Sequence, residues 1–199
     1  MSILEKFKLD GKIALVTGCS KGIGFGIAKG LAEAGADIIG VSSSLRQGSE
    51  IQEYVESIGR SFHCFSCDFS ERQKTHNFLK ELGKNNLEPN ILVSNAGSLI
   101  RTELKEHSDD NWDRILEINL SSQFILAREL SQKMVKKGWG KIIFTASILS
   151  HQGGLFVPSY TASKGGIAQL TKALSNELAD KGINVNSLSL IHISEPTRP

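Results

Sequence analysis

Apolar residues along the chain fall into two alternating patterns. Short continuous runs occur at 12–16, 37–41, 62–66, 91–93 and 141–145, and a further one starts at 183–187. Runs of this length predict strands buried on both faces. Between them, apolar residues recur every three or four positions, as in Ile23, Ile27, Ala28 and Leu31. That spacing predicts amphipathic helices over 23–34, 47–58, 71–82, 109–137 and 159–181. Gly35, Gly59, Gly138 and Gly182 stand where four of these helices should stop.

Strand and helix alternate throughout, which predicts a parallel α/β sheet with helices on both faces. Right-handed crossovers make that a doubly wound, Rossmann-type sheet. No internal repeat, low-complexity tract or linker interrupts the pattern, so residues 1–187 read as one dinucleotide-binding domain.

The 199 residues suffice for one such domain with a real core. The formal net charge is only +2, which gives no reason to expect nucleic acid or an anionic membrane as partner. No apolar run is long enough to span a bilayer, and residues 1–9 lack the apolar stretch of a secretory signal. A cytoplasmic protein with a small-molecule substrate is expected. Cys64 and Cys67 have the spacing of half a metal or redox motif, but no second Cys/His pair stands at ligand spacing, so no metal is expected. On a strand, positions three apart point to opposite faces, so these thiols should not converge.

The first strand runs into Thr17-Gly-Cys-Ser-Lys-Gly-Ile-Gly24, and a helix follows. Gly18, Gly22 and Gly24 allow a tight turn and close approach of a pyrophosphate, with Ser20, Lys21 and Ile23 beside it. The helix N-terminus adds a favourable dipole. Strand before and helix after are the context such a glycine loop needs.

Further along stand Asp68, Asn95-Ala96-Gly97, Asn119, Ser147 and then Tyr160 with Lys164 four residues later. With the spacing Gly-x-x-x-Gly-x-Gly in the first loop, this order resembles the short-chain dehydrogenase/reductase family over residues 7 to 187. The resemblance implies hydride transfer between a carbinol and NAD(P). Tyr160, Lys164, Ser147 and Asn119 would be catalytic, and Asp68, Asn95, Ala96 and Gly97 would contact the adenosine. The chemistry suits the residue types. A free tyrosine titrates near pH 10 and is a poor base at neutrality. Lys164, one helical turn from Tyr160, would favour the tyrosinate, and in the family this lysine also binds the nicotinamide ribose. Ser147 would hydrogen-bond the substrate oxygen, while Asn119 would hold a water that relays protons from the lysine. Ser94 stands where the family usually has Asn.

An acidic residue ending the second strand would bind a ribose 2′-hydroxyl and repel a 2′-phosphate. Here that strand ends in Val41-Ser-Ser-Ser44, with Lys21 and Arg46 able to pair with a phosphate. The charges lean towards NADP and the resemblance towards NAD, so both stay open. The segments 7–12, 95–101, 150–154 and 157–164 resemble family members acting on sugar-acid ketones of the 2-deoxy-D-gluconate kind. A 3-oxoacyl carrier-protein reductase, a general carbonyl reductase and an inactive dinucleotide-binding fragment remain as alternatives. Arg101 is the candidate carboxylate contact, because guanidinium binds carboxylates bidentately. Gln152 is the candidate hydroxyl contact, beside Ser147 and Tyr160.

Beyond 187 the family continues with a Pro-Gly turn, a substrate lid, a helix and a seventh strand. The sequence at 188–199 instead resembles the in-frame translation of a transposase-type sequencing-library adapter. The expectation is therefore a C-terminally truncated domain with a non-native tail, poorly folding as it stands, whose full-length parent is an active homotetramer built through the two long helices. Genomic sequence read through codon 188 tests this.

Overall fold

A computed structural model describes residues 3–190. Most of the tail at 188–199 thus lies outside the described residues. Six strands form one parallel sheet: β1 (Ile13–Thr17), β2 (Asp37–Ser42), β3 (Phe62–Ser66), β4 (Ile91–Ser94), β5 (Gly140–Thr145) and β6 (Ile183–Leu188). Their order is β3-β2-β1-β4-β5-β6. The chain winds outwards from β1 to β3, returns to the centre, and winds outwards again from β4. This is the doubly wound arrangement, and its reversal lies between β1 and β4, where such sheets open a crevice at their carboxyl ends.

Helices α1 (Gly22–Glu33), α2 (Glu50–Ser57), α3 (Arg72–Lys84), α4 (Asp109–Leu116), α5 (Ser122–Lys137) and α6 (Pro158–Leu178) make the crossovers. Helices α1 and α2 pack one face of the sheet through Ala28, Ala32, Ile51 and Val55, against Ala14, Val16 and Ile38. Helices α3, α5 and α6 pack the other through Phe78, Leu126, Met134 and Ile167, against Leu15, Leu92, Ile142 and Phe144. Cys64 joins the first cluster and Cys67 the second, so the two thiols do face apart. Burial pushes the Cys67 thiol up to about 12 and the Cys19 thiol equally, which keeps both protonated and unreactive at neutral pH. Strand β6 alternates: Ile183 and Val185 are buried, while Asn184 and Asn186 are exposed on the α1/α2 side.

Two predicted helices differ from those observed. The second begins at Glu50 rather than at residue 47, because Gly48 is left-handed at φ +71° and cannot sit in a helical turn. The long helix predicted over 109–137 is interrupted by a π turn at Glu117–Ser121. Asn119 lies in that turn and is fully buried.

Candidate active site

The site assembles where β1, β4 and β5 end. Strand β1 leads into Gly18, whose φ of +68° favours glycine and whose added Cβ would lie 3.1 Å from both Ala96 Cα and Asn95 Nδ2. A Cβ on Gly24, in the first turn of α1, would meet the Gly18 carbonyl oxygen at 2.2 Å. The glycines thus let the loop fold tightly over the helix start. No side chain caps α1, so its first N–H groups remain available to an anion.

Hydrogen bonds sew the strand ends together. Thr17 Oγ1 accepts from the backbone N–H groups of Asn95 and Ala96, each at 2.8 Å. Asn95 Nδ2 donates to the Thr17 carbonyl at 3.1 Å, and Thr145 Oγ1 donates to Asn95 Oδ1 at 3.1 Å. Gln123 Nε2 donates to the Ala96 carbonyl at 2.9 Å. Ser94 Oγ is buried without a hydrogen-bond partner, which fits the bond lost with the family's usual Asn. Asp68 accepts from the N–H and Oγ of Ser70, and these bonds hold its carboxyl below the usual range. Asp68 therefore closes a local turn and does not cap α3, whose N-cap is Glu71.

Ser147 follows β5 and caps a short 3-10 turn, Ile148–Ser150. Its Oγ accepts from the Leu149 N–H at 3.2 Å, which leaves its own proton free to donate. Tyr160 and Lys164 lie one turn apart on α6, with Lys164 Nζ 5.7 Å from the centroid of the Tyr160 ring. Lys164 is 3% exposed and donates to the Thr145 carbonyl at 2.5 Å. Burial lowers its amine to about 8. Behind them, Asn119 Oδ1 accepts from the Ser98 N–H at 2.8 Å, while Nδ2 donates to the Ser98 carbonyl and to Ser163 Oγ. A Cβ on Gly97 would lie 3.4 Å from Asn119 Oδ1 and 3.9 Å from Lys164 Nζ. Both are ordinary van der Waals separations, so the chain at Gly97 runs beside the two side chains without crowding them.

One cleft of about 880 Å³ joins these parts. Gly18, Ser20, Lys21, Ile23, Asp68, Asn95, Ala96, Gly97, Ser147, Tyr160 and Lys164 all line it. Gly22 and Gly24 of the same loop stand outside this lining. Arg101 and Gln152 are exposed and stand outside the lining. Gln123, Ser163 and the clamping role of Thr17 escaped the sequence reading, because their partners lie far along the chain or have no motif of their own.

A family model for short chain dehydrogenases matches residues 12–197. The chain belongs to the short-chain dehydrogenase family. It is an NAD(P)-dependent oxidoreductase acting on CH–OH groups. It is 56% identical over 188 residues to a 2-dehydro-3-deoxy-D-gluconate 5-dehydrogenase of Pseudoalteromonas atlantica, covering 94% of this chain and 74% of that one. It is 48% identical to the protein of the same name from Bacillus subtilis, covering 96% and 74%. A crystal structure from Beutenbergia cavernae, described as an NAD(P) dependent gluconate 5-dehydrogenase with bound NADP, superposes with a TM-score of 0.87 at 35% identity, covering 94% and 74%.

Proposed function

We propose that this chain interconverts a secondary hydroxyl and a ketone on a sugar acid of the 2-deoxy-D-gluconate kind. The observation that carries the chemistry is the meeting of Ser147, Tyr160 and Lys164 in the cleft that the glycine loop opens into. The likeness to 2-dehydro-3-deoxy-D-gluconate 5-dehydrogenases supports the substrate class.

The residues fit a dinucleotide. The uncapped start of α1 offers N–H groups to a pyrophosphate, the Gly18–Gly24 approach needs both glycines, and Asn95, Ala96 and Asp68 wall the adenosine end. Lys164 would bind the nicotinamide ribose. Bound there, nicotinamide supplies the acceptor or donor of hydride.

The chain's own residues handle the proton. Ser147 donates a hydrogen bond to the substrate oxygen and holds it beside Tyr160. In the oxidative direction, Tyr160 takes the hydroxyl proton as the carbon–hydrogen bond gives up its hydride. In the reductive direction it returns that proton to the carbonyl oxygen. Charged Lys164 favours the tyrosinate needed for the first case. Water held at the π turn around Asn119 then carries protons between Lys164 and solvent. Of the exposed residues outside the lining, Arg101 would pair with the substrate carboxylate and Gln152 would contact a hydroxyl. In this reading the protein is cytoplasmic, and in its full-length parent the two long helical stretches, 109–137 and 159–181, form the faces of a homotetramer. Among the described residues no helix is long and apolar enough to cross a membrane.

The test is turnover measured with NAD(P) against a panel of sugar acids and a 3-oxoacyl thioester. Selective turnover of the sugar acids supports the reading; preference for the thioester would replace it with an acyl reductase.

A further inference from the structure

The wall of the adenosine end and the turn that carries Asn119 are tied to each other by two arginines. Asp68 and Phe69 line the cleft just past β3, while Arg114 and Ile118 line it from α4 and the π turn. Arg114 Nη1 donates to Ser70 Oγ at 3.3 Å, and Ser70 Oγ donates in turn to Asp68 Oδ1 at 2.7 Å. In the opposite direction Arg72, the first residue of α3, reaches Glu117, the first residue of the π turn. Its Nε donates to Oε1 at 3.1 Å and its Nη2 to Oε2 at 2.6 Å.

The second tie is bidentate, which fixes orientation as well as distance. The Glu117 side chain is only 14% exposed, so water and salt screen the pair less than an open surface pair. A π turn is rare because regular α geometry is preferred, so contacts from outside the helix must hold it open. Glu117 supplies one such contact two residues before Asn119, whose carboxamide holds Ser98 and Ser163. Residues 68–72 are the short path from the cleft wall to that contact.

We propose that Arg72 and Glu117 are positioning residues that couple the adenosine wall to the π turn, so that occupancy of the adenosine end tightens the turn carrying Asn119. This rests on the dinucleotide reading of the cleft. An adenosine held at Asp68 and Phe69 orders the 68–72 segment, and the ordered segment holds Glu117 through Arg72. Linkage is reciprocal, so a firmer turn favours adenosine binding by the same factor. Neither Arg72 nor Glu117 lines the cleft, so both act without touching the ligand.

The experiment is amide hydrogen exchange of residues 117–121 in the purified 199-residue protein, read by mass spectrometry with and without saturating 5′-AMP. Bound 5′-AMP is expected to slow exchange there about fivefold, the factor that a partly exposed ion pair can transmit. Glu117→Gln and Arg72→Gln should each still bind 5′-AMP and each lose that slowing, and the double variant should lose no more than either alone. The Arg72 side chain is 61% exposed, so its variant keeps the test valid if Glu117→Gln fails to fold. Slowing that persists in a folded variant would overturn the proposal, since direct contact with Ile118 or Arg114 would then be its source. Binding of 5′-AMP without slowing in the unaltered protein would overturn the coupling and leave the dinucleotide reading intact. Failure of the folded protein, checked by circular dichroism, to bind 5′-AMP at all would overturn both.

Discussion

Asn119 Nδ2 and Ser163 Oγ are 3.1 Å apart, in a bond that is wholly buried and spans 44 residues of sequence. Ser163 also donates to the Tyr160 carbonyl at 2.7 Å. The π turn and the catalytic helix are thereby fixed to each other one residue away from Lys164. Ser163→Ala removes that tie without adding bulk. It should lower kcat by about tenfold to a hundredfold with a much smaller change in the dinucleotide dissociation constant, because misplacement of the reacting groups rather than loss of binding is the cause. Steady-state kinetics and a direct binding titration separate the two. Equal losses in both would identify Ser163 as a folding residue only.

Thr17 offers a second test. One hydroxyl accepts two backbone N–H groups of the segment after β4. Thr17→Val keeps the shape and strands both donors. A stability loss of about 2–4 kcal/mol is expected from urea unfolding, together with weaker dinucleotide binding as Asn95 and Ala96 relax.

Lys164 carries a cost in the folded protein. Its amine is lowered to about 8 by burial, whereas an unfolded lysine titrates near 10.4. Between those values the unfolded chain binds more protons, so stability rises with pH in that window. Below pH 8 the whole penalty applies, roughly 3 kcal/mol from the difference in pKa. Lys164→Met should therefore be the more stable protein at pH 7. Its advantage should shrink as pH rises from 8 to 10.4, and its turnover should be lost. Urea denaturation at both ends of that range checks the sign.

Arg101 is exposed and outside the cleft lining, next to Thr102, whose N–H donates to the Phe156 carbonyl at 2.9 Å. That bond holds the loop beside the segment leading into α6. If Arg101 pairs with the substrate carboxylate, Arg101→Ala should raise KM for sugar acids by about tenfold or more, with lysine restoring only part. The KM for a neutral ketone should not change. A rise for both substrates would show that the loop, not the charge, had been disturbed.

Much of this was legible in the sequence, for physical reasons that can be named. Buried parallel strands must be continuously apolar, so the predicted run at 91–93 falls on the fully buried central strand β4. The glycine loop, Ser147, Tyr160 and Lys164 were legible because their chemistry requires particular residues at fixed spacing. The π turn was not, since its partners are Ser98 and Ser163, far away in sequence. Asn119 read as a residue within a regular helix, and proved to be a fully buried one. Thr17 read as the first residue of the glycine motif, with nothing local to show that it clamps residues 78 and 79 positions onward. Gly48 misled in the opposite sense: amphipathic spacing extended the helix across a residue whose left-handed backbone forbids it.

The π turn at Glu117–Ser121 amounts to one residue more than a regular helix would use to cover the same rise. Everything after it is rotated by about 100° relative to an uninterrupted helix. A heptad drawn through α4 therefore assigns the wrong side of α5 to the core. Deleting one residue within the turn would restore a straight helix and swing the carboxamide away from Ser98. The surplus residue therefore positions the Asn119 carboxamide at the expense of helical regularity.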